Sequence, residues 1–162
     1  MGSDALSVLA TLAGARLKAR GLKLATAESC TGGWVAQVVT SVSGSSEWFD
    51  RGFVTYSNEA KREMLGVQAE TLSAHGAVSE HTAREMACGA LGRSGAGVAV
   101  AVTGVAGPTG GSPEKPVGTV WFGWSVGGEL RTERRHFEGD RAAVRAATVH
   151  HALQTLVLRL QH

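Results

Sequence analysis

Ser29 stands in "ESCTGG" (Glu28 to Gly33), where an apolar run gives way to an amphipathic one. A turn of this kind brings backbone N–H groups to a helix start. Gly32 and Gly33 would let an anion approach with no Cβ in the way, so a phosphate or an oxyanion would suit the turn. Ser29 and Thr31 are also favoured helix N-caps, which is the plainer reading. Cys30 is a further nucleophile candidate at the same helix start, with no histidine near it in the sequence.

A base for such a nucleophile is offered by "TYSNEAK", which places Lys61 in the first turn of a helix capped by Asn58. The helix macrodipole disfavours a cation there, and a partly dry pocket would lower the lysine pKa further. A neutral lysine can take the proton of a serine hydroxyl, as in Ser-Lys variants of the nucleophile–base pair. A solvated surface lysine is the competing reading. Tyr56 would donate a hydrogen bond nearby or fill the strand face. A third glycine-bearing stretch, "TGVAGPTGGSPEKPVG" (Thr103 to Gly118), offers Thr103 and several backbone N–H groups. It lacks the GxxxxGK[ST] pattern of a phosphate-binding Walker loop. A structureless stretch of this length inside a domain is more often functional than not. No HExxH or paired-cysteine pattern occurs, and the adjacent His150 and His151 would point about a third of a turn apart, so no metal and no cofactor is expected.

These three turns must be carried by regular elements. Leu6, Leu9, Ala13 and Leu17 recur at helical spacing before Gly21, predicting a helix over residues 4–20. Lys23 to Ala27 reads as a short strand, and a second helix begins near Thr31 and runs through Trp34 to Val39. A serine-rich loop follows from Ser41 to Ser46, then a strand from Arg51 to Ser57 and a short helix that Gly66 stops. Ser79 opens a helix whose face carries Ala83, Met86, Ala87, Ala90 and Leu91, with Glu80 at its positive end. "GVAVAVTG" (Gly97 to Gly104) is apolar on both of its alternating sets, as in a central strand buried on both faces. Gly127-Gly128 joins Val117 to Val126 with Glu129 to Phe137 in a hairpin, and Val149, Leu153, Leu156 and Leu160 share a last helical stripe. Helices interleaved with strands predict an α/β fold: a three-layer α/β/α sandwich around a mixed sheet of about five strands. The three turns would leave the C-terminal ends of strands, where ligands collect in open α/β sheets.

At 162 residues the chain is expected to form a single domain over residues 1–162. The net charge of +2 comes from sixteen Lys and Arg spread along the chain, which argues against a dedicated nucleic-acid module. No apolar run approaches the ~20 residues of a membrane span and no signal-peptide pattern opens the chain, so a cytoplasmic protein without a membrane partner is expected. The two cysteines lack a CxxC pattern and read as free thiols.

Five stretches in order resemble the nicotinamide-nucleotide amidohydrolases, also called the CinA C-terminal domain family. They are "AESCTGG" (Ala27 to Gly33), "SGSSEWFDRGFVTYSNEAKREMLGV" (Ser43 to Val67), "GAVSEHTAREMACGA" (Gly76 to Ala90), "AVTGVAGPTGGSPEKPVGTV" (Ala101 to Val120) and "FEGDRAAVR" (Phe137 to Arg145). The resemblance implies hydrolysis of the carboxamide of nicotinamide mononucleotide, with release of ammonia, by a metal-free Ser-Lys mechanism in pyridine-nucleotide salvage. It puts the dyad lysine at Lys61 and the motif serines at Ser29 and Ser46. Ser29 is the favoured nucleophile, because a helix start also supplies oxyanion donors, and Ser46 with Tyr56 would relay protons or orient the amide. The substrate-binding set implied is Thr31, Gly32, Gly33, Asn58, Thr103, Gly104 and Gly107, with Arg141, or failing it Arg145, on the phosphate. Many relatives carry a further N-terminal domain, and this chain looks like the stand-alone form. A homodimer through apolar helix faces is expected. The alternatives are a catalytically silent nucleotide-binding module and a DNA-associated competence protein.

Overall fold

Valine and alanine alternate along the central strand, and that alternation sorts the helices into layers. The computed structural model describes residues 3–161. Its elements are α1 (Ser3–Ala19), β1 (Leu24–Glu28), α2 (Trp34–Thr40), a 3₁₀ turn (Ser45–Glu47), β2 (Phe49–Val54), α3 (Asn58–Leu65), α4 (Ala69–His75), α5 (Glu80–Gly92), β3 (Val98–Gly104), β4 (Thr119–Val126), β5 (Glu129–His136) and α6 (Arg141–Arg159). In β3, Val98, Val100 and Val102 point to one face, where Leu6, Leu17, Trp124, Leu153 and Leu156 join them in the larger core. That face is covered by α1, α2 and α6. Ala99 and Ala101 point the other way, with Ala25 and Ala27 of β1, and meet Met86, Ala87 and Ala90 of α5. Small side chains on sheet and helix let α5 lie close to the strands, and a Cβ on Gly123 of β4 would already sit 3.0 Å from the Ala83 carbonyl oxygen.

The sheet has five strands in the order β2-β1-β3-β4-β5. The first three are parallel, and β4 and β5 complete it as an antiparallel hairpin. This is the three-layer sandwich on a mixed sheet that the sequence predicts. Two details differ. The second strand runs Phe49–Val54, starting two residues and ending three residues before the expected Arg51 to Ser57, because its pairing with β1 extends from Leu24 opposite Phe49 to Glu28 opposite Val54. Helix α4 was not foreseen: its seven residues are too few for a periodic signal, and Glu85 of α5 secures its start by accepting from Gln68 N–H at 2.8 Å.

Register then brings the turns together. Glu28, the last residue of β1, is paired with Val54 on one side and Val102 on the other. The chain therefore leaves β1 and β2 through Ser29 and Thr55 at the same sheet edge where β3 ends in Thr103 and Gly104. β5 runs antiparallel to β4, so its end at His136 lies beside Thr119 at that same edge and delivers the start of α6 there.

Helix α3 is held against α5 at Gly89, where an added Cβ would stand 1.9 Å from the Leu65 carbonyl oxygen. In isolation a Gly→Ala change in a helix gains about 1 kcal/mol. Here it must push α3 away, and Gly89→Ala is expected to destabilise the protein by about 2 kcal/mol, read from the urea midpoint.

Candidate active site

A cavity of about 250 Å³ at this edge is lined by Ser29, Cys30, Tyr56, Asn58, Lys61, Ala77, Val78, Thr103, Gly104, Ala106 and Arg141. Ser29 enters it from the first position after β1, its N–H donating to the Val102 carbonyl at 3.0 Å. Lys61 enters from α3, and its side chain is 1% exposed. Its Nζ lies 2.9 Å from Ser29 Oγ and donates to the carbonyl oxygens of Thr55 at 2.8 Å and Tyr56 at 3.2 Å. Carbonyl oxygens only accept, so two N–H bonds are fixed on them and the remaining direction of the nitrogen faces the serine. As an ammonium it donates to Ser29; as a neutral amine it presents its lone pair to the hydroxyl.

Burial shifts the balance toward the second state. Removal from water lowers the Lys61 pKa from 10.5 to about 8. Desolvation outweighs position along the helix: Ser57 is the N-cap of α3, accepting from Ala60 N–H at 3.0 Å, which puts Lys61 just past the first turn. The expected cap, Asn58, is instead the first helical residue, exposed and facing the cavity. Burial acts the opposite way on Cys30, whose thiol is pushed up to about 12. It remains a protonated wall group at neutral pH, which removes it as a nucleophile candidate.

The turn after Ser29 is no open anion cradle. Gly32 and Gly33 adopt left-handed backbone with φ of +60° and +102°, and Gly33 caps α2 without a side-chain bond. The free N–H groups of Val35 and Ala36 are taken by the carboxylate of Glu28, at 2.9 Å each, and the Thr31 hydroxyl donates to the same carboxylate. An internal anion thus fills the site that sequence reasoning reserved for substrate, and neither Ser29 nor Thr31 is the cap. Thr31, Gly32 and Gly33 are not among the residues lining the cavity. Glu28 was missed because a strand-ending glutamate reads as an exposed residue; its 1% exposure comes from the sheet and α2 packing around it.

Two further expectations are corrected. Ser46 is exposed in the 3₁₀ turn that precedes β2, at the opposite end of that strand from the cavity, about 20 Å away for six residues. Arg145 donates to the carbonyls of Cys30 at 3.1 Å and Thr31 at 3.0 Å and stacks over Trp34, so it braces the turn from outside. Arg141 does line the cavity, where it donates to the Gly107 carbonyl at 2.7 Å and to Tyr56 Oη at 3.1 Å. Thr103 Oγ1 donates to the Ala77 carbonyl at 2.8 Å and closes the far wall, beside Gly104. Among the described residues, no group of three His, Cys, Asp or Glu side chains is placed to hold a metal ion.

Comparison with known proteins matches the family described as the CinA C-terminal domain over residues 6–160. The chain is 58% identical over 157 residues to the nicotinamide-nucleotide amidohydrolase PncC of Escherichia coli K12, covering 96% of this chain and 95% of that protein. It is 51% identical to the protein of the same name from Pseudomonas putida, covering 95% and 96%. A crystal structure of a competence-damaged protein (CinA) superfamily member from Klebsiella pneumoniae superposes with a TM-score of 0.93 at 45% identity, covering 97% of this chain and 98% of that one.

A lysine moved from 10.5 to about 8 destabilises the fold below pH 8, where it must be buried charged. Between pH 8 and 10.5 only the unfolded chain keeps the proton, so the penalty fades as pH rises. Wild type is therefore expected to gain about 2 kcal/mol on Lys61→Met between about pH 7.5 and about pH 9.5, measured by urea unfolding of both proteins.

Proposed function

The chain belongs to the CinA C-terminal domain family, and on that premise we propose that it is a nicotinamide-nucleotide amidohydrolase working through Ser29 and Lys61. The observation that carries the reading is the buried amine, 2.9 Å from the Ser29 hydroxyl with its other hydrogens tied to two carbonyls. In the proposed reaction Lys61 takes the hydroxyl proton as Ser29 Oγ attacks the carboxamide carbon. The donor we assign to the tetrahedral oxyanion is the main-chain N–H of Cys30, the residue after Ser29 and the one in that turn that lines the cavity. The C–N bond then breaks as Lys61 returns the proton to the departing nitrogen, which leaves as ammonia, and an ester remains on Ser29. Water, deprotonated by Lys61, attacks the ester, and the Ser29 oxygen leaves with that proton. The product is the nicotinate nucleotide.

Arg141 is the assigned phosphate partner. Its guanidinium lines the cavity and keeps donors free after Gly107 and Tyr56, whereas Arg145 lies outside that lining and is turned onto the carbonyls of the Ser29 turn. Holding the phosphate away from the reacting amide restrains the carbonyl at attack distance. Tyr56, 61% exposed, fixes the Arg141 fork at the cavity mouth. The protein is read as a single catalytic domain in the cytoplasm, forming a homodimer and binding neither nucleic acid nor membrane.

Ammonia release from nicotinamide mononucleotide, in the presence of a chelator, tests the assignment. Ser29→Ala and Lys61→Met are each expected to lose about a thousandfold or more in kcat, while Ser46→Ala keeps the wild-type rate. Full activity in Ser29→Ala would remove the dyad. With the base neutral above about 8, kcat/KM is expected to rise tenfold per pH unit below that value and level off above it. Arg141→Ala is expected to raise KM about tenfold or more with a smaller change in kcat, as measured by steady-state kinetics.

A further inference from the structure

Glu28 is not among the residues lining the cavity, yet both halves of the dyad are built on it. Its side chain accepts three hydrogen bonds, from Thr31 Oγ1, Val35 N–H and Ala36 N–H. All three partners are donors, the pattern a carboxylate with two accepting oxygens completes. They lie three, seven and eight residues beyond Glu28, so the bonds clamp the Ser29 turn against the start of α2. Its main chain works on the other side. The Glu28 carbonyl accepts from Thr55 N–H at 2.8 Å, and the Thr55 carbonyl is one of the two acceptors that aim Lys61 Nζ.

From these bonds we infer that Glu28 is a positioning residue for the hydrolysis, holding the nucleophile turn and the main chain that orients Lys61 in one frame. The inference rests on the Ser29–Lys61 reading above. A charged acceptor on amide donors is a stronger tether than a neutral one, and it is sealed from competing water here. The same bonds exclude the substrate phosphate from the start of α2, since its two amides are satisfied and a negative charge already stands there. The Lys61 pKa is set first by burial and then by Cys30. Loss of the Glu28 charge therefore disturbs the alignment of the dyad and leaves the titration of its base in place.

Glu28→Gln is the direct test, because a glutamine of the same shape must turn its NH₂ toward at least one of the three donors. Kinetics of ammonia release from nicotinamide mononucleotide are expected to show kcat lowered about tenfold to a hundredfold, the range that small misplacements cost. KM stays within about twofold, as Tyr56, Thr103 and Arg141 keep their walls, and the midpoint of the rising pH limb does not move. Glu28→Asp, which keeps the charge but draws it back by one methylene, falls between Glu28→Gln and wild type. If Glu28→Gln does not fold, Thr31→Val removes one of the three bonds with the carboxylate left in place, and kcat falls a few-fold at unchanged KM. Wild-type kcat in folded Glu28→Gln, or in Thr31→Val where that variant must serve, would overturn the inference. So would a rise in KM matching the fall in kcat, or a displaced pH limb. Ser29→Ala is measured alongside: activity there sinks the dyad itself, whereas an inactive Ser29→Ala with a fully active Glu28→Gln sinks only the role of Glu28.

Discussion

An ammonium ion in a dry protein interior is destabilised relative to a neutral amine, and the candidate site is organised around that difference at Lys61. The lysine stem is enclosed between α3 and the strand exits, so the charge is cut off from bulk water. Two backbone carbonyls replace part of that water and fix the nitrogen in orientation. A base with a lowered pKa thereby arises from packing, its hydrogen-bond partners being one hydroxyl and two main-chain carbonyls. The arrangement opposes stability below pH 8, a cost that the surrounding core must offset.

That core also explains why the groups meet. Parallel pairing of β1 with both β2 and β3 puts three chain exits side by side, and the antiparallel hairpin β4–β5 returns α6 to the same edge. The narrow alanine face lets α5 sit close to the sheet, and α3 in turn is pressed onto Gly89 of α5. Lys61 is carried by α3, so its reach to Ser29 depends on the small side chains of the sheet face and of α5 in the same layer.

The Ser29 turn shows how one motif supports opposite readings. Two glycines and a helix start have the chemistry of a phosphate cradle, but the amides of Val35 and Ala36 are consumed by Glu28, seven and eight residues back along the chain. The substrate's anion is accordingly assigned to Arg141, at the start of α6, and the turn is left to hold a nucleophile. Arg145, one helical turn further on, braces the turn carbonyls from the other side.

Much of this was legible in the sequence. Periodicity of two in β3 and of three to four in α1, α5 and α6 is a local property of the chain, and it determined the elements, the mixed sheet and the edge where the turns emerge. The motifs named the family and singled out Ser29, Lys61, Thr103 and Arg141. What sequence could not decide was which neighbours each side chain finds. Ser46 belongs to a motif yet lies at the far end of β2, Arg145 matches Arg141 in type yet faces the turn, and Glu28 reads as an ordinary strand end yet is buried. Hydrogen-bond partnership and desolvation are properties of positions in space, set by strand register and helix packing over separations of up to more than a hundred residues, as between Arg145 and Thr31. Residue type and spacing along the chain carry no record of them.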